Sequence, residues 1–260
     1  MIKSLEKITA SGEVMKVYQT GDRPVLILCE DGFHYICKFK QPGCSANKLV
    51  YELIGSEFAR IWKIATPYNR LIVNDPIIWD DKGISHDLVA PLWGSRKMDS
   101  VFDLSDINYN QIKISSGSLS QFLTIALFDL WIANEDRTCN NYNLLYDMKL
   151  EEIVSIDYGG IFNSGILNGA IYQLNADDSI LSSNLFERLN KASSSTIFNY
   201  IYSFYLKSVL NCARLSKDII DNIPKEWKVD IPLFERKLNE LFDKGWISDV
   251  WENFNVIITR

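Results

Sequence analysis

FDLWIANEDRTCNNYNLLYDMKLEEIVSIDYGGIF, residues 128–162, decides how the rest of the chain is read. It begins as the apolar end of a helix and passes into a polar loop, Asn134-Glu135-Asp136-Arg137-Thr138-Cys139-Asn140-Asn141. Two short strands follow at 143–146 and 153–156, and the second runs into Asp157-Tyr158-Gly159-Gly160. Two carboxylates and an amide thus stand at the mouths of adjacent strands. Asn141 comes five residues after Asp136, and Asp157 sixteen after Asn141. A polar loop joining two strands of an ordinary domain would share some of this pattern, but the clustering at strand ends favours chemistry.

The chain has 260 residues, enough for one large domain or two lobes with a substantial core. Its net charge of −6 argues against direct nucleic-acid binding or an anionic membrane surface, both of which want a basic face. A local basic cleft for phosphates stays compatible with that balance. Cys29, Cys37, Cys44, Cys139 and Cys212 form an odd set without a C-x-x-C pair, which fits a reducing cytosol better than a disulfide scaffold or a zinc site. His34 and His86 read as strand residues, too few for a histidine-rich metal site. The start, MIKSLEKITASGEV, lacks the apolar core of a signal peptide, and no apolar run is long enough to span a bilayer. The expected location is cytoplasmic.

Outward from the central stretch, the amino-terminal part alternates like an antiparallel meander, with strands at 13–20, 25–30 and 33–39 and turns at Gly21–Pro24 and Asp31-Gly32. Gln41-Pro42-Gly43 breaks it. Val50, Ile54, Phe58 and Ile61 then recur at helical spacing over 46–64, and Pro67 stops that helix. Strands at 71–73 and 86–90 flank a turn at 80–83, and Pro91–Ser95 is the candidate crossing between lobes. Residues 97–117 read as loop with a short helical turn. Ser118 is the candidate cap of a buried helix over 119–133. Residues 163–184 have no period and read as irregular. Helices follow at 195–212, after Ser216, from Asp230 to a stop at Gly245, and briefly around Trp251 and Phe254. The expected architecture is α+β: a small amino-terminal lobe of antiparallel sheet and one helix over 1–92, then a mostly helical lobe over 93–260.

Lys38 lies on an apolar strand and needs a partner or a path to water, because an unpaired buried ammonium is costly. Glu52 on the next helix is the obvious partner, although Lys40 shares the facing parity of Lys38. Protein kinases hold ATP phosphates with a strand Lys paired to a helix Glu. They orient the acceptor hydroxyl with an Asp, and hold Mg²⁺ with an Asn five residues later and an Asp before Gly. Asp136 is the candidate base, and Asn141 and Asp157 are hard oxygen ligands suited to Mg²⁺. Arg137 either forms a structural salt bridge or reaches phosphate. Asn134, Asn140 and Asn143 read as loop supports, and Asp129 as structural. Cys139 has no histidine near in sequence to activate it. Backbone amides at 10–13 or 20–23 are candidate phosphate caps, or plain turns.

NEDRTCNNYNLL followed by IVSIDYGG resembles the HipA-like kinases, especially their short stand-alone subfamily, and is distantly similar to the D-R-H-x-x-N … I-D-x-G pattern of phosphoinositide kinases. YICKFKQPG and LVYELIGSEFARIWKIATP resemble the same family's lysine strand and glutamate helix, so the likeness covers about residues 33–162. It implies a bilobed protein-kinase-like fold with ATP and Mg²⁺ in the cleft. Lys38 would hold the phosphates and Glu52 would pair with it. Val89, Ala90, Pro91 and Leu92 would meet the adenine. Asp136 would be the catalytic Asp, and Asn141 and Asp157 the metal ligands. The acceptor would be a hydroxyl, by analogy a protein Ser or Thr. An antitoxin-like or regulatory protein partner is also compatible with the family, and no residue identifies one. Thr138 stands where the family has His, Tyr158 where His or Phe is common, and no G-x-G-x-x-G occurs. Those departures support an alternative, a nucleotide-binding pseudokinase or protein-interaction module with little turnover. A metal-dependent phosphohydrolase is a third reading of the same carboxylates.

Overall fold

The computed structural model describes residues 6–40, 44–73, 91–115, 117–191 and 198–259. They group into two compact units. The first comprises Met1–Ile54, Pro67–Asp99 and Asp218–Asp230; the second comprises Gly55–Thr66, Ser100–Lys217 and Ile231–Arg260. The expected strand at 86–90, the break at 41–43, the turn at 80–83 and the adenine contacts Val89 and Ala90 lie outside the described residues.

Five strands form the first unit's sheet: β1 (Lys7–Val17), β2 (Val25–Cys29), β3 (His34–Lys38), β4 (Asn69–Val73) and β5 (Leu92–Arg96). They close into a barrel in the order β1-β2-β3-β5-β4. The expected antiparallel meander is therefore corrected on one point: β1 pairs in parallel with β4, Lys7 opposite Leu71. Strand β1 also starts earlier than its alternation suggested. Register shifts between Ala10 and Lys16 blur the two-residue period there and let one long strand curve around the barrel. Val25, Ile27, Cys29, Tyr35 and Cys37 point inward with Ala10, Val14, Ile72 and Leu92. That alternation puts Lys38 on the other face of β3. The segment read as a crossing, Pro91–Ser95, is largely β5, hydrogen-bonded to both β3 and β4. The Pro91 carbonyl accepts the Trp227 indole N–H at 2.7 Å.

Helix α1 (Asn47–Ile61) ends where Lys63 takes a left-handed φ of 58° and the Ile64 amide reaches back to the Ala59 carbonyl at 2.9 Å. In the second unit, α2 (Ser118–Ile132) is buried on nearly every side, as its all-round apolar composition requires. Ser118 is the first helical residue rather than the cap; its Oγ accepts from the Ser115 amide at 2.9 Å. Strand β6 (Val101–Asp103), unforeseen in the 97–117 stretch, joins β7 (Leu144–Asp147) and β8 (Glu152–Ser155) in an antiparallel sheet.

After β8 come α3 (Ile161–Gly165), α4 (Asn184–Lys191), α5 (Phe198–Asp221), α6 (Ile231–Leu241) and α7 (Lys244–Ile258). Two expected boundaries move. Ser216 caps nothing, because α5 runs through it and its hydroxyl is satisfied by the Ala213 carbonyl at 2.9 Å. Gly245 does not stop α6; it lies in the first turn of α7, whose cap Asp243 accepts the Gly245 amide at 2.8 Å and the Trp246 amide at 3.2 Å. Trp62, Phe128 and Trp131 pack in this unit's core, with Trp62 stacked on Trp131 at 5.3 Å between ring centres. Among the described residues no helix is long and apolar enough to cross a membrane.

Candidate active site

In the first unit, Lys38 Nζ donates to Glu52 Oε1 at 2.6 Å, with side chains 16% and 5% exposed. Lys40 lies beyond the strand and is exposed, so the choice left open by parity falls to Lys38. A second carboxylate was not foreseen. Asp22, in the turn between β1 and β2, brings Oδ2 to 3.7 Å from Lys38 Nζ and accepts from Lys48 at 2.7 Å. Only the turn composition of Gly21-Asp22-Arg23-Pro24 hinted at it. The Arg23 amide in that turn is occupied by the Thr20 carbonyl at 2.9 Å. Leu92 is buried within the barrel core.

In the second unit, Ala133 ends α2 in a left-handed conformation with φ 52°, turning the chain into the polar loop. Asn141 Nδ2 donates to Asp136 Oδ1 at 3.0 Å, and Asn143 Nδ2 donates to Asp136 Oδ2 at 3.0 Å. Both amides also reach the Asp136 carbonyl, at 2.9 and 3.2 Å. Asn134 Oδ1 accepts the Asp136 amide at 3.3 Å. The carboxylate is thus fixed through both oxygens, and Asn143, read as a loop support, is one of its holders. The Thr138 hydroxyl accepts the amides of Asn140 and Asn141, each at 3.2 Å, closing the turn that presents Asn141. With its Nδ2 committed to Asp136, Asn141 keeps its amide oxygen as the donor for a cation.

Asp157 follows β8 in a left-handed conformation, φ 58°, and accepts the Gly159 amide at 3.1 Å. One residue earlier, the Ile156 amide is bonded to the Asn143 carbonyl at 3.0 Å, so the loop and the Asp157 turn leave the same end of the β7–β8 ladder. Gly160 packs on the loop so closely that a Cβ there would lie 2.5 Å from Asp136 Cβ and 2.8 Å from its amide nitrogen. Gly160→Ala is expected to cost about 1–3 kcal/mol by overpacking, read as a lower urea midpoint with unchanged slope.

Arg137 does not reach outward. It is fully buried, ion-paired to Asp129, and donates to the Ile156 carbonyl at 2.8 Å. Asn134 completes the Asp129 side at 2.9 Å. Burial pushes the Asp129 carboxyl up, while the Arg137 guanidinium and the Asn134 amide pull it down. Tyr158 is a core residue, its hydroxyl on Ser155 Oγ at 2.8 Å and its ring edge-on to Phe128.

The irregular stretch after Gly160 is anchored, which its sequence did not announce. In α3, Phe162, Asn163 and Ser164 all take left-handed angles. The Asn163 and Tyr172 side chains both bond Glu135 Oε1, beside the candidate base. From α6, fully buried Lys237 bonds the Gly169 carbonyl, Arg236 the Leu167 carbonyl at 2.7 Å, and Glu240 the Ile171 amide at 2.9 Å. A cavity of about 370 Å³ borders the loop, lined by Asn141, Asn143 and Leu144 with Asp103, Ser105 and Asp106. Among the described residues, no three His, Cys, Asp or Glu side chains form a metal cluster.

The first unit thus holds a barrel with a paired Lys and Glu, and the second a doubly held Asp, an Asn and an Asp-x-Gly-Gly turn. The HipA-like kinase family matches residues 12–249, and the chain belongs to that family. No curated protein matches it. Among solved structures it is similar to the proinflammatory kinase CtkA of Helicobacter pylori, at 15% identity and TM-score 0.50, covering 97% of this chain and 98% of that one. It is also similar to the CtTel1 dimer, at 11% identity and TM-score 0.46, covering 93% of this chain and 12% of that one. At 15% identity the likeness to CtkA concerns the fold alone.

Proposed function

We propose that the chain transfers the γ-phosphoryl group of ATP to a hydroxyl acceptor, a protein Ser or Thr by family analogy. The observation that carries this reading is the Asp136 carboxylate, held through both oxygens by Asn141 and Asn143. Such a carboxylate is oriented before substrate arrives and accepts a hydrogen bond, then a proton, from the attacking hydroxyl. Asn141 and Asp157 suit Mg²⁺, which prefers hard oxygen ligands and retains phosphate oxygens and water in its shell. When bound there, Mg²⁺ would neutralise charge on the phosphates. Lys38 would bind phosphate oxygens in place of the nearby Asp22 carboxylate, with Glu52 keeping its ammonium oriented. The 370 Å³ cavity beside Asn141 offers Ser105, Asp103 and Asp106 to sugar hydroxyls. An adenine contact by Pro91 and Leu92 rests on the resemblance alone.

Lys38→Met tests the phosphate role. The variant is expected to bind ATP with Mg²⁺ about ten- to a hundredfold more weakly by calorimetry, the value of a charge-assisted hydrogen bond to phosphate. Equal affinity in the two proteins would remove Lys38 from the site. A second reading, nucleotide binding with little turnover, is favoured by one observation: the Thr138 hydroxyl is spent on backbone amides. The family's His at that place would bring a ring able to carry charge. Stabilisation by ATP with Mg²⁺ but no transfer would support this second reading.

A further inference from the structure

Apart from the Asp136 loop, the second unit holds a cavity of about 550 Å³, in the size range of small-molecule sites. Trp62, Ile125, Ile153, Phe204 and Tyr200 give it aromatic and aliphatic walls, and Glu152 opens onto it. The Trp62 wall is fixed by stacking on Trp131, and Gln121 at the cavity is fixed by accepting the Ile153 amide at 3.3 Å.

Glu152 has no hydrogen bond or ion pair to its side chain among the described residues. It stands directly across the β7–β8 ladder from Asp147. Like charges in such a pair oppose each other. Asp147 has its own role, accepting the Lys149 and Leu150 amides at 2.8 and 3.0 Å to shape the hairpin turn. Burial, and after it the Asp147 charge, push the Glu152 carboxyl up. Lys63 also borders the cavity, but its side chain is exposed and forms no ion pair with Glu152. A cation placed in the cavity would satisfy Glu152, relieve its opposition to Asp147 and lie near the Tyr200 and Phe204 rings, whose faces attract cations.

We propose that this cavity binds a small organic cation with an aromatic or aliphatic body, its charged group on Glu152. Phenethylammonium is a suitable probe and phenethyl alcohol its neutral counterpart. Titrations followed by ligand-observed NMR and calorimetry are expected to show saturable binding of phenethylammonium to the full chain. Phenethyl alcohol should bind at least tenfold more weakly. Glu152→Gln should weaken phenethylammonium at least tenfold and leave phenethyl alcohol within about twofold. Tyr200→Ala, at an exposed position where folding is not at stake, should weaken both probes. Equal binding of the two probes, an unchanged affinity in Glu152→Gln, or no saturation by phenethylammonium at millimolar concentration would overturn the proposal. A basic peptide that saturates the same Glu152-dependent site while phenethylammonium does not would overturn it in favour of a protein partner.

Discussion

An Arg137→Met variant will lose about 3–5 kcal/mol of unfolding free energy, the usual consequence of removing one partner from a buried ion pair. The guanidinium is fully buried and joins three features of the second unit: Asp129 on α2, the Ile156 carbonyl at the end of β8, and the face of Tyr158 at 5.4 Å. Without it, Asp129 keeps, among the described residues, only the Asn134 amide and must either carry an uncompensated buried charge or take up a proton. The loss is a large share of a typical domain's stability of about 5–15 kcal/mol. Urea unfolding followed by circular dichroism will show it as a lower midpoint. The double variant Asp129→Leu/Arg137→Met will recover much of the loss, because no charge is then left behind. If Arg137→Met unfolds like the wild type, the pair does not hold the loop.

Asp136→Ala will lower phosphoryl transfer by about 10²–10⁴-fold, the range in which a positioned general base contributes. Its unfolding free energy will stay within about 1 kcal/mol of wild type, since Asp136 is partly exposed and its amide partners, Asn141 and Asn143, can turn to water. ATP with Mg²⁺ will still stabilise the variant in thermal unfolding, because neither Lys38 nor Asp157 is touched. Loss of binding together with turnover would move Asp136 from base to metal or phosphate ligand.

The polar loop and the Lys38–Glu52 pair were legible because they rest on local rules. A lone Lys on an apolar strand needs a carboxylate, and carboxylates and amides crowd where strands end. The α1 and α2 cores followed from helical period. Barrel closure was not legible, since pairing β1 with β4 joins residues more than sixty apart and leaves no local signature. Ser216 and Gly245 misled for the same physical reason: each is a good terminus residue whose need was met otherwise, by a back-bonded hydroxyl and by the Asp243 cap. At the site, Asn143 and Asp136 are near neighbours in sequence, but the left-handed φ of 45° that turns Asn143 inward cannot be read from NYN. The anchoring of Tyr172 and Asn163 to Glu135, and of their segment to Lys237, depends on α6 folding back over residues it follows at no recognisable spacing.

The most direct test follows the label from γ-labelled ATP with Mg²⁺, comparing the wild-type chain with Asp157→Ala. The phosphotransferase reading predicts label on a Ser or Thr hydroxyl of the chain or of an added protein, ADP formed in equal amount, and both lost in Asp157→Ala. Label released as free phosphate with no phosphorylated acceptor, or product formed equally by both proteins, would contradict it.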